Sequence, residues 1–145
     1  MLVRLLYSSR VVGGIDDALI ESVLECSQAN NLDHGITGVL CVDHQSGFFL
    51  QVLEGARSSV NQLYANIMRD SRHQDVFLLL FDEIEEREFS GWRMGSVDLN
   101  KVNLSTILRF SETARLDPPS MTGASALALM EDLTDSAAIV GREVR

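Results

Sequence analysis

Cysteine, basic charge and long apolar runs are all scarce in this chain, and each scarcity excludes something. The two cysteines, Cys26 and Cys41, lie far apart with no C-x-x-C spacing. They read as free thiols of a reducing cytoplasm, not as a disulfide framework or a redox pair. Lys and Arg number 12 against 21 Asp and Glu, for a formal net charge of −9. That balance argues against a nucleic-acid backbone or an anionic membrane as the main partner. The one basic concentration, Arg69, Arg72 and His73, suits a single phosphorylated ligand. No apolar run approaches the ~20 residues that span a bilayer, and Met1 to Arg10 is too short and polar for a signal peptide. His34, His44 and His73 lack metal-ligand spacing. G-x-G-x-x-G, P-loop and G-x-S-x-G motifs are missing as well.

What is there is a globular composition, 46% hydrophobic and 23% charged over 145 residues, enough for one domain with an ordinary core. Its centre is the stretch Gly47-Phe48-Phe49-Leu50-Gln51-Val52-Leu53-Glu54-Gly55, a strand bounded by glycines. Phe49, Gln51 and Leu53 share one face, with Phe48, Leu50 and Val52 on the other. Both faces are apolar, so the strand belongs inside a sheet covered on both sides. Gln51 is then a buried carboxamide, and each polar group it leaves unpaired costs roughly 1–3 kcal/mol.

Before that strand, Leu2 to Ser8 alternates as a first strand, with Val3, Leu5 and Tyr7 on one face. Asp16 is placed to cap a helix carrying Leu19, Ile20, Val23 and Leu24 on one side, which stops near Asn30-Asn31. Ile36 to Val42 is a second strand, returned by Asp43 to Gly47 into the central one. Ser58 or Ser59 caps a second helix with the stripe Val60, Leu63, Tyr64, Ile67 and Met68. Val76 to Phe81 reads as a buried strand, and Trp92 to Val97 as a short last one. The order strand, helix, strand, strand, helix, strand, strand predicts an α+β, ferredoxin-like split β-α-β fold with a five-stranded mixed sheet. Residues 104–110 and 124–140 read as two helices, separated by Pro118-Pro119, that cover the other sheet face through Leu104, Ile107, Leu108, Leu127, Leu129, Met130 and Leu133. Residues 1–98 are the expected core, and 99–145 an extension packed on it within the same domain.

Tyr7 and Gln51 stand mid-strand among aliphatic residues, and neighbouring first and third strands would let them touch. Alone, such a pair is as consistent with a satisfied polar contact as with a functional one. Asn30-Asn31 alone is a helix stop, Arg72-His73 a complement to a helix dipole, and Trp92 with Met94 the packing of an edge strand. Together they form a pattern. Leu5-Leu6-Tyr7-Ser8-Ser9, Asn30-Asn31 ahead of Gly35-Ile36-Thr37-Gly38, Phe49 to Gly55, Asp70-Ser71-Arg72-His73 and Trp92-Arg93-Met94 resemble, in order and spacing from Leu2 to Val97, the BLUF family of blue-light sensors using flavin.

The resemblance implies a blue-light photoreceptor holding FAD, with FMN as the alternative, between two helices on one sheet face. It casts Tyr7 as electron and proton donor, and Gln51 as the bridge that rearranges its hydrogen bonds after light to give a red-shifted state. It casts Asn31 as a partner of the flavin ring and Val23 as an aliphatic contact to it. Arg72 and His73 fall near the ribityl chain and phosphates, and Trp92 and Met94 form the last-strand pair around the glutamine. Where a basic residue is often found one turn before Arg72, this chain offers Asn66 and Arg69. No enzymatic output domain is expected, so the signal passes to a separate protein, and a homodimer or higher homo-oligomer is the expected assembly. A flavin-dependent redox enzyme is the rival reading, and a flavin-free ligand-binding or partner-binding module the second.

Overall fold

Strands that are apolar on both faces have to lie within a sheet covered on both sides. The computed structural model, which describes residues 1–11, 13–21, 35–135 and 140–142, places them so. Strands β1 (Leu2–Val11), β2 (Thr37–Val42), β3 (Phe48–Ala56), β4 (His73–Ile84), β5 (Trp92–Asp98) and β6 (Val140–Arg142) form one sheet in the order β4-β1-β3-β2-β5-β6. β1 pairs antiparallel with β3 and β4, and β2 antiparallel with β3, which is the ferredoxin-like arrangement. β5 runs parallel to β2 and makes the sheet mixed. The short β6 is a strand more than the five expected. The apolar pattern over 124–140 reads as one helix, but that helix ends at Thr134 with Asp135 as its C-cap. The backbone at 140–142 instead takes up the hydrogen-bonding edge that β5 would otherwise leave open.

Alternation along the strands divides the core in two. Val3, Leu5, Tyr7, Leu40, Phe49 and Leu53 pack with Val60 and Leu63 of the helix Arg57–Arg69 and with Ile15, Leu19 and Ile20. Residues 17–21 are helical, and the Asp16 carboxylate caps them by accepting from the Leu19 N–H at 2.7 Å. Neither Ser58 nor Ser59 caps the Arg57–Arg69 helix. β3 runs straight into it with Ala56 at the N-cap, and the Arg57 N–H finds the carbonyl of Met1 at 3.2 Å instead.

On the opposite face Leu6, Val39, Cys41, Leu50 and Val52 meet Ile107 of the short helix Leu104–Leu108 and Ala126, Leu129, Met130 and Leu133 of the helix Gly123–Thr134. The C-terminal segments therefore cover this face as expected. Leu104 and Leu108 do not take part, being 62% and 53% exposed, because the helix they belong to is a single turn with one inward position, Ile107.

The largest departure concerns β4. Its apolar run reads as a buried strand, yet it is the outermost strand on its side, and Phe77, Leu78 and Phe81 are 50%, 50% and 43% exposed. A run of apolar residues records no strand order. That order follows from the crossover, which sets β4 outside β1 and away from the centre.

Candidate functional site

The register of β1 on β3 sets Tyr7 directly opposite Gln51. Side chains so placed in an antiparallel pair lie on one face within reach of each other. The Tyr7 hydroxyl donates to Gln51 Oε1, and both residues are only 1% exposed. On its other side the Gln51 amide donates from Nε2 to the Met94 Sδ at 3.1 Å. Burial pushes the Tyr7 phenol well above its ordinary pKa, and the nearby Tyr64 and Asp70 add to the effect. It is therefore a neutral donor at every physiological pH. The Tyr64 ring stands 5.5 Å from that of Tyr7.

Met94 reaches this network through a backbone irregularity. Simple alternation would put Trp92 and Met94 on one face. Instead Met94 has φ 118°, and the β2–β5 register shifts between Gly38 and Val39. Met94 consequently joins the Tyr7 cluster, whereas Trp92 is buried in the other, among the residues that meet the C-terminal helices. Holding a non-glycine residue at such a φ costs about 1–3 kcal/mol, and such strain gathers at functional positions.

A second polar group sits where the helix Arg57–Arg69 gives way to β4. Arg72 clasps Asp70 through Nε at 3.1 Å and Nη2 at 2.6 Å, which holds the Asp70 carboxyl down at about 2. His73 Nδ1 and Ser9 Oγ share a hydrogen bond of 2.9 Å. The His73 ring stands edge-on to Phe49 at 5.7 Å, and burial lowers its pKa below the ordinary value. One turn earlier Arg69 donates to Asn66 Oδ1 at 2.8 Å. Tyr7, Gln51 and Met94 are thus brought together, His73 is tied to β1 beside them, and Trp92 is turned away. Val23, Asn31 and Cys26 lie outside the described residues.

The donor chemistry fits a flavin. A thioether is a weak acceptor, so a fully buried amide resting on one can still gain from a carbonyl or ring nitrogen. The isoalloxazine edge offers both, and its flat apolar body suits the aliphatic cluster around Tyr7. Among the described residues no group of three His, Cys, Asp or Glu is placed to hold a metal ion. No described helix is long and apolar enough to cross a membrane.

One feature escaped the reading of the sequence. Glu54 is fully buried, pairs with Arg4 at 2.8 Å and accepts from the backbone N–H groups of Glu88 and Phe89 at 3.0 Å and 2.6 Å. The signal was available, since alternation places Glu54 on the inward face with Leu50 and Val52. Its place beside Gly55, at the boundary of the strand, hides that signal.

The family model for BLUF, sensors of blue-light using FAD, matches residues 2–95. The chain belongs to the BLUF family. It is 34% identical over 88 residues to photoactivated adenylate cyclase subunit alpha of Euglena gracilis, covering 61% of this chain and 8% of that one. It is 30% identical over 99 residues to the blue light- and temperature-regulated antirepressor BluF of Escherichia coli (strain K12), covering 68% of this chain and 24% of that one. It therefore spans a small part of these curated relatives. The solved dark-state structure of BlrB, a BLUF protein, superposes with a TM-score of 0.74 at 30% identity, over 92% of this chain and 94% of that one. As a BLUF domain the chain is a blue-light sensor, its cofactor is the flavin FAD, and a redox-enzyme reading finds no support.

Proposed function

We propose that light sensing in this BLUF domain runs through Tyr7 and Gln51, with Met94 as the second contact of the glutamine. The observation that carries this is the buried chain Tyr7–Gln51–Met94, in which the amide has a strong partner on its acceptor side and a weak one on its donor side. FAD, when bound, supplies light absorption and transiently accepts an electron. Tyr7 can give up that electron and its phenolic proton, which a phenylalanine could not. The Gln51 amide is asymmetric, so rotation or tautomerisation exchanges donor and acceptor without any change in net charge. Turned over, Nε2 would face the Tyr7 oxygen and Oε1 the Met94 sulfur. The two arrangements make a switch that an altered hydrogen bond to the flavin edge can bias.

Asn31 and Val23 complete the ring site in this reading, and Arg72 and His73 serve the ribityl-phosphate end. Output passes along β5 to the C-terminal helices, because Met94 touches Gln51 while Trp92 packs among the residues those helices cover. From there it goes to a separate signalling protein.

The test is the visible absorption of the purified protein before and after blue light, in wild type and in Tyr7→Phe. The wild-type flavin bands should move reversibly to the red. The variant should stay yellow and show no shift. A normal shift in Tyr7→Phe would remove Tyr7 from the mechanism, and a colourless protein that refuses added FAD would defeat the site assignment altogether.

A further inference from the structure

A strand at the edge of a sheet exposes a row of backbone N–H and C=O groups. Proteins blunt such edges with mid-strand charges, prolines or short length. β4 is 12 residues long, and no described strand lies on its outer side. Its middle, Val76 to Phe81, holds neither charge nor proline. Bulges bend it opposite Leu6/Tyr7 and Ser8/Arg10, but Leu80 to Ile84 remain in regular register with β1. Phe77, Leu78 and Phe81 stand about half exposed beside this row. Acidic residues bound the apolar stretch, with Asp75 before it and Asp82 and Glu83 after it, all exposed, Glu83 being paired with Arg57.

Those acids favour one kind of cover for the edge when its apolar middle is paired in register. A second copy pairing antiparallel about Leu78 and Leu79 would set Asp75 of each chain opposite Asp82 of the other, and Gln74 opposite Glu83. Like charges directly opposite are destabilising, and two chains of net charge −9 repel at longer range. A segment with Lys or Arg opposite Asp75 and Asp82 would instead meet a carboxylate at each end.

We propose that the outer edge of β4 is a docking surface for an extended segment of a different protein, apolar at its centre and basic at both ends, which adds to the sheet as a further strand. Backbone hydrogen bonds supply affinity in such β-augmentation, and side chains supply the choice of partner. Leu78, the exposed residue such a strand would cover, lies opposite Tyr7 in the β1–β4 register. The surface itself does not depend on the roles given to Tyr7 and Gln51, and its test is run in the dark.

The probe is a short synthetic peptide of alternating Val and Thr with lysines at both ends, beside the same peptide with glutamates in their place. Binding is followed by fluorescence anisotropy, and its location by amide hydrogen exchange over residues 73–84. The lysine peptide should bind at least roughly tenfold more tightly than the glutamate peptide and slow exchange in β4. In Leu78→Lys/Phe81→Lys, with thermal unfolding confirming the fold, that affinity should drop roughly tenfold. Equal binding of the two peptides, or no change in β4 exchange, would overturn the proposal. So would a dimer of the protein alone, seen by sedimentation and lost in the double variant, because it would assign the edge to a second copy.

Discussion

Arg72 stands out in the sequence as half of a basic pair, but what it does locally is set by Asp70. Its guanidinium and its backbone N–H both reach the Asp70 carboxylate, the N–H at 2.9 Å, and together they keep that carboxyl ionised down to about pH 2. A depressed carboxylate pKa stabilises the fold above the unfolded value of about 4 and loses that contribution as pH falls through the folded value. Wild-type Tm should therefore fall more steeply between roughly pH 4 and pH 2 than that of Asp70→Asn, with the two curves differing by a constant above that window. Parallel curves through the window would deny the ion pair a part in stability. Asp70 is 28% exposed, so solvent screening keeps the difference small. His73 gives the same lesson in another form. Its place in the basic pair is readable, while its bond to Ser9 joins residues 64 apart in the chain and becomes visible only once β1 and β4 pair.

Among the elements, the helix Gly123–Thr134 sets local preference against packing. Alanine in place of Gly123 would favour a helix by up to about 1 kcal/mol. A Cβ there, however, would overlap the Leu79 carbonyl oxygen and sit 3.0 Å from Leu80 Cβ. The helix start would have to move off β4, a displacement of the kind that costs about 1–3 kcal/mol. Gly123→Ala should consequently lower the unfolding free energy in urea, and a more stable variant would show that the helix does not approach the strand this closely. Local signals were legible wherever one face and one cap decide an element, as with Asp16 and the alternation of β1 and β3. They failed at Ser58 and Ser59, where the N-terminal backbone satisfies the helix start. They failed again at β4, since an apolar run is the same string of letters at the centre of a sheet and at its edge.

Taken as a whole, the molecule ties its pieces together through Glu54. This carboxylate, in the interior of β3, holds Arg4 of β1 and the backbone of the β4–β5 connection at Glu88 and Phe89. Burial raises the pKa of Glu88, and the neighbouring Glu131 carboxyl of the C-terminal helix adds to the effect. Removing one partner of a buried pair leaves the other uncompensated, at a cost of roughly 3–5 kcal/mol. Arg4 retains 13% exposure, so Glu54→Ala should fall near the lower figure, about 3 kcal/mol, with Glu54→Gln milder because its oxygen still accepts. Urea unfolding of both variants checks this. A loss in Glu54→Ala no larger than in an exposed substitution would mean that the connection is held by Phe89 packing alone.

The residues alone determined the family, the split β-α-β order, the two-sided burial of β3 and the meeting of Tyr7 with Gln51. The family rests on the resemblance of several motif blocks in order and spacing, and the others on periodicity and on chemistry carried by single side chains. The position of β4 at the edge, the added strand β6, the separation of Trp92 from Met94 and the role of Glu54 were decided only in three dimensions. Each depends on which distant backbone comes alongside, through a crossover, a register shift at φ 118° or a free sheet edge. A one-dimensional pattern records what each residue prefers. Pairing across the sheet decides which of those preferences are met.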